Sequence, residues 1–164
     1  MRFDQFVEDW CMKYKPMLHE SGETSRNKRF FFVDNYVGMA DFMSSIPNTG
    51  TPCVVMESNQ EGMLKGGKDA PEYTLYFMVK AGTSKPDGRL ANSAKLEAKQ
   101  HMLKFMAYLR DKIENEEDRD LRNIDIEDVQ YATIGPLYNA WYAVTITLSD
   151  VKVWNLCVDP NDYE

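Results

Sequence analysis

The stretch that decides the fold is Glu72-Tyr73-Thr74-Leu75-Tyr76-Phe77-Met78-Val79-Lys80-Ala81. Successive side chains of a β-strand point to opposite faces of its sheet, so a strand here separates two sets of residues. One face receives Tyr73, Leu75, Phe77 and Val79, and the other receives Thr74, Tyr76, Met78 and Lys80. Upstream, Pro52-Cys53-Val54-Val55-Met56 is a second β-type run. The two runs are predicted to form a hairpin.

The connection between these strands, Ser58 to Pro71, is long for a hairpin and contains Gly62, Gly66 and Gly67. Such a loop is predicted to be mobile, and a loop of this length is typically functional or disordered. Its centre combines apolar and basic residues, and we take Met63, Leu64, Lys65 and Lys68 as a candidate subunit interface. The apolar pair would be buried against a neighbouring subunit, and the lysines would pair with its acidic surface. The alternative is a surface loop with incidental apolar residues.

Two stretches have helical periodicity. Near the N-terminus the apolar residues are three or four apart, which gathers Phe3, Phe6, Val7, Trp10 and Tyr14 on one face. Further along, Asn92 or Ser93 is expected to cap a helix over Ala94 to Ile113. Its predicted buried stripe consists of Leu96, Leu103, Met106 and Leu109.

The remaining elements are mostly strands. A strand is predicted at Arg29 to Val33, a short helix from Asp34 or Asn35 to Met43, and further strands at Val129–Ile134, Trp141–Leu148 and Val151–Val158. Helices collected on one face of a mostly antiparallel sheet bury these stripes with the fewest crossings. The sequence therefore predicts one α+β domain spanning residues 1–164, with a mobile hairpin loop at about 58–71.

The composition of the chain limits the classes of function that are expected for it. The chain has 164 residues and a net charge of −7, and the excess of acids lies in residues 101–164, with six bases and thirteen acids. An acidic chain without a basic block is not expected to bind nucleic acid specifically. No apolar run approaches the length of a membrane span, and the N-terminus does not resemble a secretory signal. Three cysteines without metal-like spacing, Cys11, Cys53 and Cys157, are expected to be buried hydrophobes in a reducing, cytoplasmic compartment.

The sequence contains a partial match to one catalytic motif, but no complete motif. The segment Gly62-Met63-Leu64-Lys65-Gly66-Gly67-Lys68-Asp69 fits a phosphate-binding loop except at its last position, where Asp69 replaces the required Ser or Thr. His19 and His101 are too far from other ligands in sequence to suggest zinc, and surface or half-buried packing is expected for both. We therefore predict a chain that is not an enzyme and has no cofactor or metal.

The order of elements, with the closing strands around Tyr138-Asn139-Ala140-Trp141-Tyr142-Ala143-Val144-Thr145-Ile146-Thr147, resembles the tail-terminator and tail-completion proteins of tailed bacteriophages. The resemblance rests on layout and spans most of the chain. It implies a ring-forming neck or tail component of the virion, assembled in the host cytoplasm and contacting its own copies and neighbouring neck or tail proteins.

Two other functions stay open at this stage. One is a non-viral intracellular protein-binding module, and the other is an enzyme or small-ligand-binding domain. Ring assembly predicts head-to-tail contacts between copies, whereas a ligand site predicts a closed pocket with convergent polar groups.

Overall fold

A computed structural model describes residues 2–22, 27–33, 49–59, 68–69, 71–115, 119–137 and 140–153. Within these ranges the helices are α1 (Phe3–Lys13) and α2 (Gly88–Glu114), and a 3-10 turn follows at Arg119–Asn123. The strands are β1 (Phe30–Val33), β2 (Cys53–Asn59), β3 (Lys68–Asp69), β4 (Glu72–Lys80), β5 (Tyr131–Leu137), β6 (Trp141–Ser149) and β7 (Lys152–Val153). The short helix predicted between Asp34 and Met43 lies outside the described residues.

Five strands form one sheet in the order β1-β2-β4-β6-β5. The predicted hairpin is confirmed, because β2 and β4 pair antiparallel from Cys53↔Met78 to Asn59↔Glu72. Strands β4, β6 and β5 are also antiparallel neighbours, while β1 runs parallel to β2. The predicted α+β class with a mostly antiparallel sheet is confirmed.

Both helices pack on one face of the sheet. The alternation predicted for β4 is confirmed, since Leu75, Phe77 and Val79 belong to the same buried cluster as the helices. The predicted face of α1 is also buried, and Trp10 meets the ring of Phe77 edge-on at 6.2 Å between centroids. From β6 the cluster receives Tyr142, Val144, Ile146 and Leu148. A smaller cluster on the opposite face contains Val33, Cys53, Val55, Met78, Trp141 and Ala143.

Helix α2 is present, but its predicted start and half of its predicted buried stripe were wrong. The helix begins at Gly88, six residues before the predicted start at Ala94, because Asp87 accepts hydrogen bonds from the backbone N–H groups of Arg89 and Leu90. Leu96 and Leu103 are 54% and 53% exposed. The buried side is formed by Ala94, Ala98, His101, Met102, Phe105 and Leu109.

The error has a physical reason. The prediction followed the large aliphatic residues, whereas the buried face of α2 is built from small and aromatic ones. The small side chains of Ala94 and Ala98 are buried in the first half of the helix, and the large ring of Phe105 is fully buried farther along. Of the predicted stripe, Leu109 is fully buried and Met106 is partly buried.

The long connection between β2 and β4 has structure at both ends. Strand β2 extends to Asn59, and β3 pairs antiparallel with β7 through Lys68↔Val153 and Asp69↔Lys152. The strand expected at Val151–Val158 is represented by β7, and residues 154–164 lie outside the described ranges.

Candidate interaction surfaces

The structure describes only one of the four residues of the predicted loop interface. Lys68 lies in β3, where its backbone pairs with Val153 of the same chain. Met63, Leu64 and Lys65 lie outside the described residues. Their contact with another subunit stays a prediction.

Strand β5 is an exposed end of the sheet. It pairs with β6 on one side, and within the described residues no strand pairs with its other edge. Tyr131, Ala132 and Thr133 are all exposed, and Tyr131 retains 50% of its accessible surface. An edge with free main-chain groups and an exposed aromatic side chain is suited to pairing with another chain.

The second half of β5 is irregular, and it passes the predicted strand end at Ile134 into Gly135 and Pro136. The strand continues through these residues to Leu137, with a register shift between Ile134 and Leu137. Gly135 has φ +133, and a Cβ at this position would lie 2.6 Å from Cδ1 of Tyr142. Glycine is therefore required here, and the regular edge is limited to Tyr131 to Ile134.

The opposite end of the sheet is β1. Phe32 is 43% exposed, while Phe30, two residues earlier and on the same face, is buried in the cluster with the helices. Phe31 points to the other face, where the ammonium of Lys28 lies 5.2 Å from its ring centroid. In the part of the chain that the structure covers, no strand pairs with the outer edge of β1.

The outer face of α2 is a third exposed surface. Leu96 and Leu103 lie one heptad apart on the side of the helix opposite Ala98 and Phe105. Beside them, the ammonium of Lys99 donates a 2.7 Å hydrogen bond to the hydroxyl of Tyr131 and lies 4.4 Å from its ring centroid. This contact ties α2 to the edge strand β5.

A shallow groove lies beside the C-terminal half of α2. Its volume is about 390 Å³, and its apolar lining includes Leu103, Met106 and Ile126. Arg110 and Glu114 form part of its polar border. The groove continues the exposed surface of α2 along its C-terminal half.

The two histidines are buried, which corrects the expectation of surface or half-buried packing. His19 is 4% exposed, and the backbone N–H of Arg29 donates to its Nδ1 at 2.9 Å. The proton of the neutral ring therefore lies on Nε2, which donates to Oε1 of Glu8 at 3.2 Å. His19 joins α1 to the start of β1 and has a structural role.

His101 is 7% exposed on the sheet-facing side of α2. Its Nδ1 lies 2.9 Å from the hydroxyl of Tyr14, and its Nε2 lies 3.6 Å from Oε1 of Glu97. Burial lowers the pKa of His101, although Glu97 acts in the opposite direction. Burial likewise raises the pKa of Tyr14. This pair links the two helices.

The cysteines of the described residues, Cys11 and Cys53, are fully buried and not in disulfides, as predicted. Burial raises the pKa of Cys53 to about 12 and the pKa of Cys11 well above its usual value. Both are therefore protonated at neutral pH and weakly nucleophilic. Cys157 lies outside the described residues.

The described ranges contain neither a metal-binding cluster nor a membrane-spanning helix. They contain no cluster of three or more His, Cys, Asp or Glu side chains placed to hold a metal ion. Among the same residues, no helix is both long and apolar enough to cross a membrane.

Neither a protein-family model nor a curated protein matches this sequence.

No local signal in the sequence identifies the edge surfaces. An exposed aromatic in a strand has the same letter as a buried one, and only the strand order shows that Phe32 and Tyr131 belong to the two ends of the sheet. The same holds for Leu96 and Leu103, whose heptad spacing suits an exposed stripe as well as a buried one.

Proposed function

We propose that this chain is a structural assembly protein that forms a ring from its own copies, as a neck or tail-terminator component of a tailed-phage virion. The observation that carries the proposal is the compatibility of the two sheet ends, β5 and β1. Each end exposes one large aromatic side chain, Tyr131 or Phe32.

The strand directions allow the sheet of one copy to continue into the next. β5 runs opposite to β6, β6 opposite to β4, β4 opposite to β2, and β2 in the same direction as β1. β5 and β1 therefore run antiparallel to each other. If β5 of one copy lies beside β1 of the next, they can form a regular antiparallel ladder.

Tyr131 and Phe32 also point to the same face of the sheet. Tyr131 points to the helix-bearing face, because its hydroxyl contacts Lys99 of α2, and Phe32 shares this face with Phe30. In the register that sets Tyr131 opposite Phe32, Thr133 lies opposite Phe30. Aromatic pairs across strands contribute roughly 0.2–1 kcal/mol beyond an alanine pair, in addition to the apolar area that they bury.

A contact between two different surfaces is heterologous, and heterologous contacts generate closed rings or open filaments. A ring is the assembly that the resemblance to tail-terminator proteins implies. The proposal assigns the chain no catalysis, cofactor or specific nucleic-acid binding. Its partners would be its own copies and neighbouring neck or tail proteins.

The mass of the purified protein and the shape of its particles test the proposal. Native mass spectrometry and negative-stain electron microscopy are expected to show a ring of more than two subunits. Phe32→Lys and Tyr131→Glu are each expected to weaken ring formation, because each places a charge in the contact. The double variant should recover assembly through the new Lys–Glu pair.

A matched control is Leu90→Glu, because Leu90 is 42% exposed and belongs to α2, not to β1 or β5. Its mass distribution should equal that of the unsubstituted chain. Particles of only one or two subunits at every accessible concentration would refute the ring, as would assembly that is indifferent to charge at Phe32 and Tyr131.

A further inference from the structure

The outer face of α2 carries a regular exposed stripe. Its members are spaced alternately four and three residues apart, and every one is exposed: Arg89, Ser93, Leu96, Gln100, Leu103, Ala107, Arg110 and Glu114. An average spacing of 3.5 residues keeps a stripe on one side of a helix along its length, as in the contact seam of a coiled coil. The helix has 27 residues and is therefore about 40 Å long.

We propose that two copies of this chain pair through this stripe, with their α2 helices antiparallel about a two-fold axis that passes beside Gln100. This contact is separate from the proposed sheet-edge contact and does not depend on it. The occupant of the exposed face is a second copy because the stripe is complementary to itself in one register.

That register is set by the apolar and small residues. With Gln100 at the axis, Leu96 of each copy packs against Leu103 of the other. Ser93 then lies opposite Ala107, and two small residues at the same level allow the helix axes to approach closely. Each apolar contact occurs twice because the axis is two-fold.

The charges fit the same register. Lys104 of each copy lies opposite Glu97 of the other, on the same flank of the contact. Arg89 lies opposite Asp111, whose Oδ1 already accepts a hydrogen bond from Asn115. Four of these opposite-charge pairs form in one dimer, and all four residues are exposed in the single chain.

The distribution of charge along the helix selects the antiparallel orientation. The segment from Gly88 to Arg110 has five bases and one acid, and Asp111 and Glu114 follow at the C-terminal end. Parallel helices in register would oppose like charges, whereas antiparallel helices set the acidic end of each copy against the basic start of the other. The two Lys99 side chains are like-charge neighbours near the axis, and each is held by its own Tyr131.

A charge-exchange experiment tests the register. In Glu97→Lys two lysines oppose each other, and in Lys104→Glu two glutamates do, so each variant alone is expected to pair at least about tenfold more weakly. A mixture of the two variants should form the mixed dimer, because both of its pairs are then of opposite charge. The double variant should pair with itself. Lysine and glutamate residues have nearly the same mass, so one of the two variants is labelled with the heavy nitrogen isotope. Native mass spectrometry then separates the mixed dimer from both homodimers.

An apolar test uses two leucines of the same helix. Leu103→Glu is expected to abolish pairing, whereas Leu90→Glu, at a similarly exposed leucine that lies off the stripe, should leave the pairing constant unchanged. Far-UV circular dichroism of both variants checks that the fold is retained. Neither substitution alters β1 or β5, so loss of pairing can be distinguished from loss of the ring.

A cross-link locates the axis. In a Cys157→Ser background, Gln100→Cys should form an intermolecular disulfide on mild oxidation, while Asn92→Cys on the same exposed side should not. Pairing is overturned if the unsubstituted chain has an odd or single subunit mass at every concentration. It is equally overturned if the mixed charge variants fail to associate, or if Leu103→Glu pairs as well as Leu90→Glu.

Discussion

Replacing Phe105 by alanine is expected to remove the central ring of the helix–sheet contact. Phe105 is fully buried, and its ring lies 5.2 Å from Trp10, 5.5 Å from Phe77 and 6.2 Å from Phe6. It therefore contacts both α1 and the sheet. Truncation of a buried phenylalanine costs about 3–5 kcal/mol, a large part of the roughly 5–15 kcal/mol that stabilises a typical domain.

Equilibrium unfolding in urea, followed by tryptophan fluorescence, measures this change. With a slope of about 2 kcal/mol per molar urea, the midpoint should fall by about 2 M. Leu90→Ala is the matched control, because Leu90 is 42% exposed on the same helix, and its cost should stay below about 0.5 kcal/mol. A loss of less than about 1 kcal/mol for Phe105→Ala, at unchanged slope, would refute the assignment of the buried face.

Three further outcomes are expected. Asp87→Ala should lower the free energy of unfolding by about 1 kcal/mol in urea titrations, because two backbone N–H groups lose their acceptor; a neutral effect would show that the cap is not formed. The pKa of His101 is lowered in the folded state, so protonation favours unfolding, and stability should fall as the pH drops below about 6.5. His101→Gln should reduce that dependence between pH 7 and pH 5, and an identical pH profile would contradict it. Cys11 and Cys53 should react with a thiol reagent only after unfolding, because burial raises the pKa of both thiols, and rapid modification of either in the native protein would contradict their burial.

Most of the fold could be predicted from local patterns. The alternation in β4 identified the buried face of the sheet, and the three-or-four spacing of Phe3, Phe6 and Trp10 identified the buried face of α1. These patterns are reliable because large apolar residues occupy one face and polar or smaller residues the other.

The position of helix α2 could be predicted from the sequence, but its buried face could not. Leucine, alanine and methionine occur around most of its circumference, so periodicity alone permits more than one buried face. In the structure Ala94 and Ala98 are buried on the core-facing side, whereas Leu96 and Leu103 are exposed. Such a choice depends on the distance between helix and sheet, which no local pattern contains.

The exposed surfaces could not be predicted for a related reason. Phe32 and Tyr131 are exposed to solvent because β1 and β5 are the terminal strands of the five-stranded sheet. The strand order depends on the whole chain and not on any local pattern. The sequence instead predicted a subunit interface in the 58–71 loop, whose central residues the structure does not describe.

The position of β6 in the sheet has a consequence for folding kinetics. β6 lies between β4 and β5, yet α2 and the following turn separate it from β4 along the chain, so pairs such as Tyr73↔Leu148 close a long loop. Folds rich in such distant contacts fold slowly, because the entropy of loop closure is lost before the contacts form. During synthesis, β4 has only β2 as a sheet neighbour until residues 141–149 leave the ribosome. The sheet is therefore completed late, and one edge of β4 stays without its strand partner until β6 has formed.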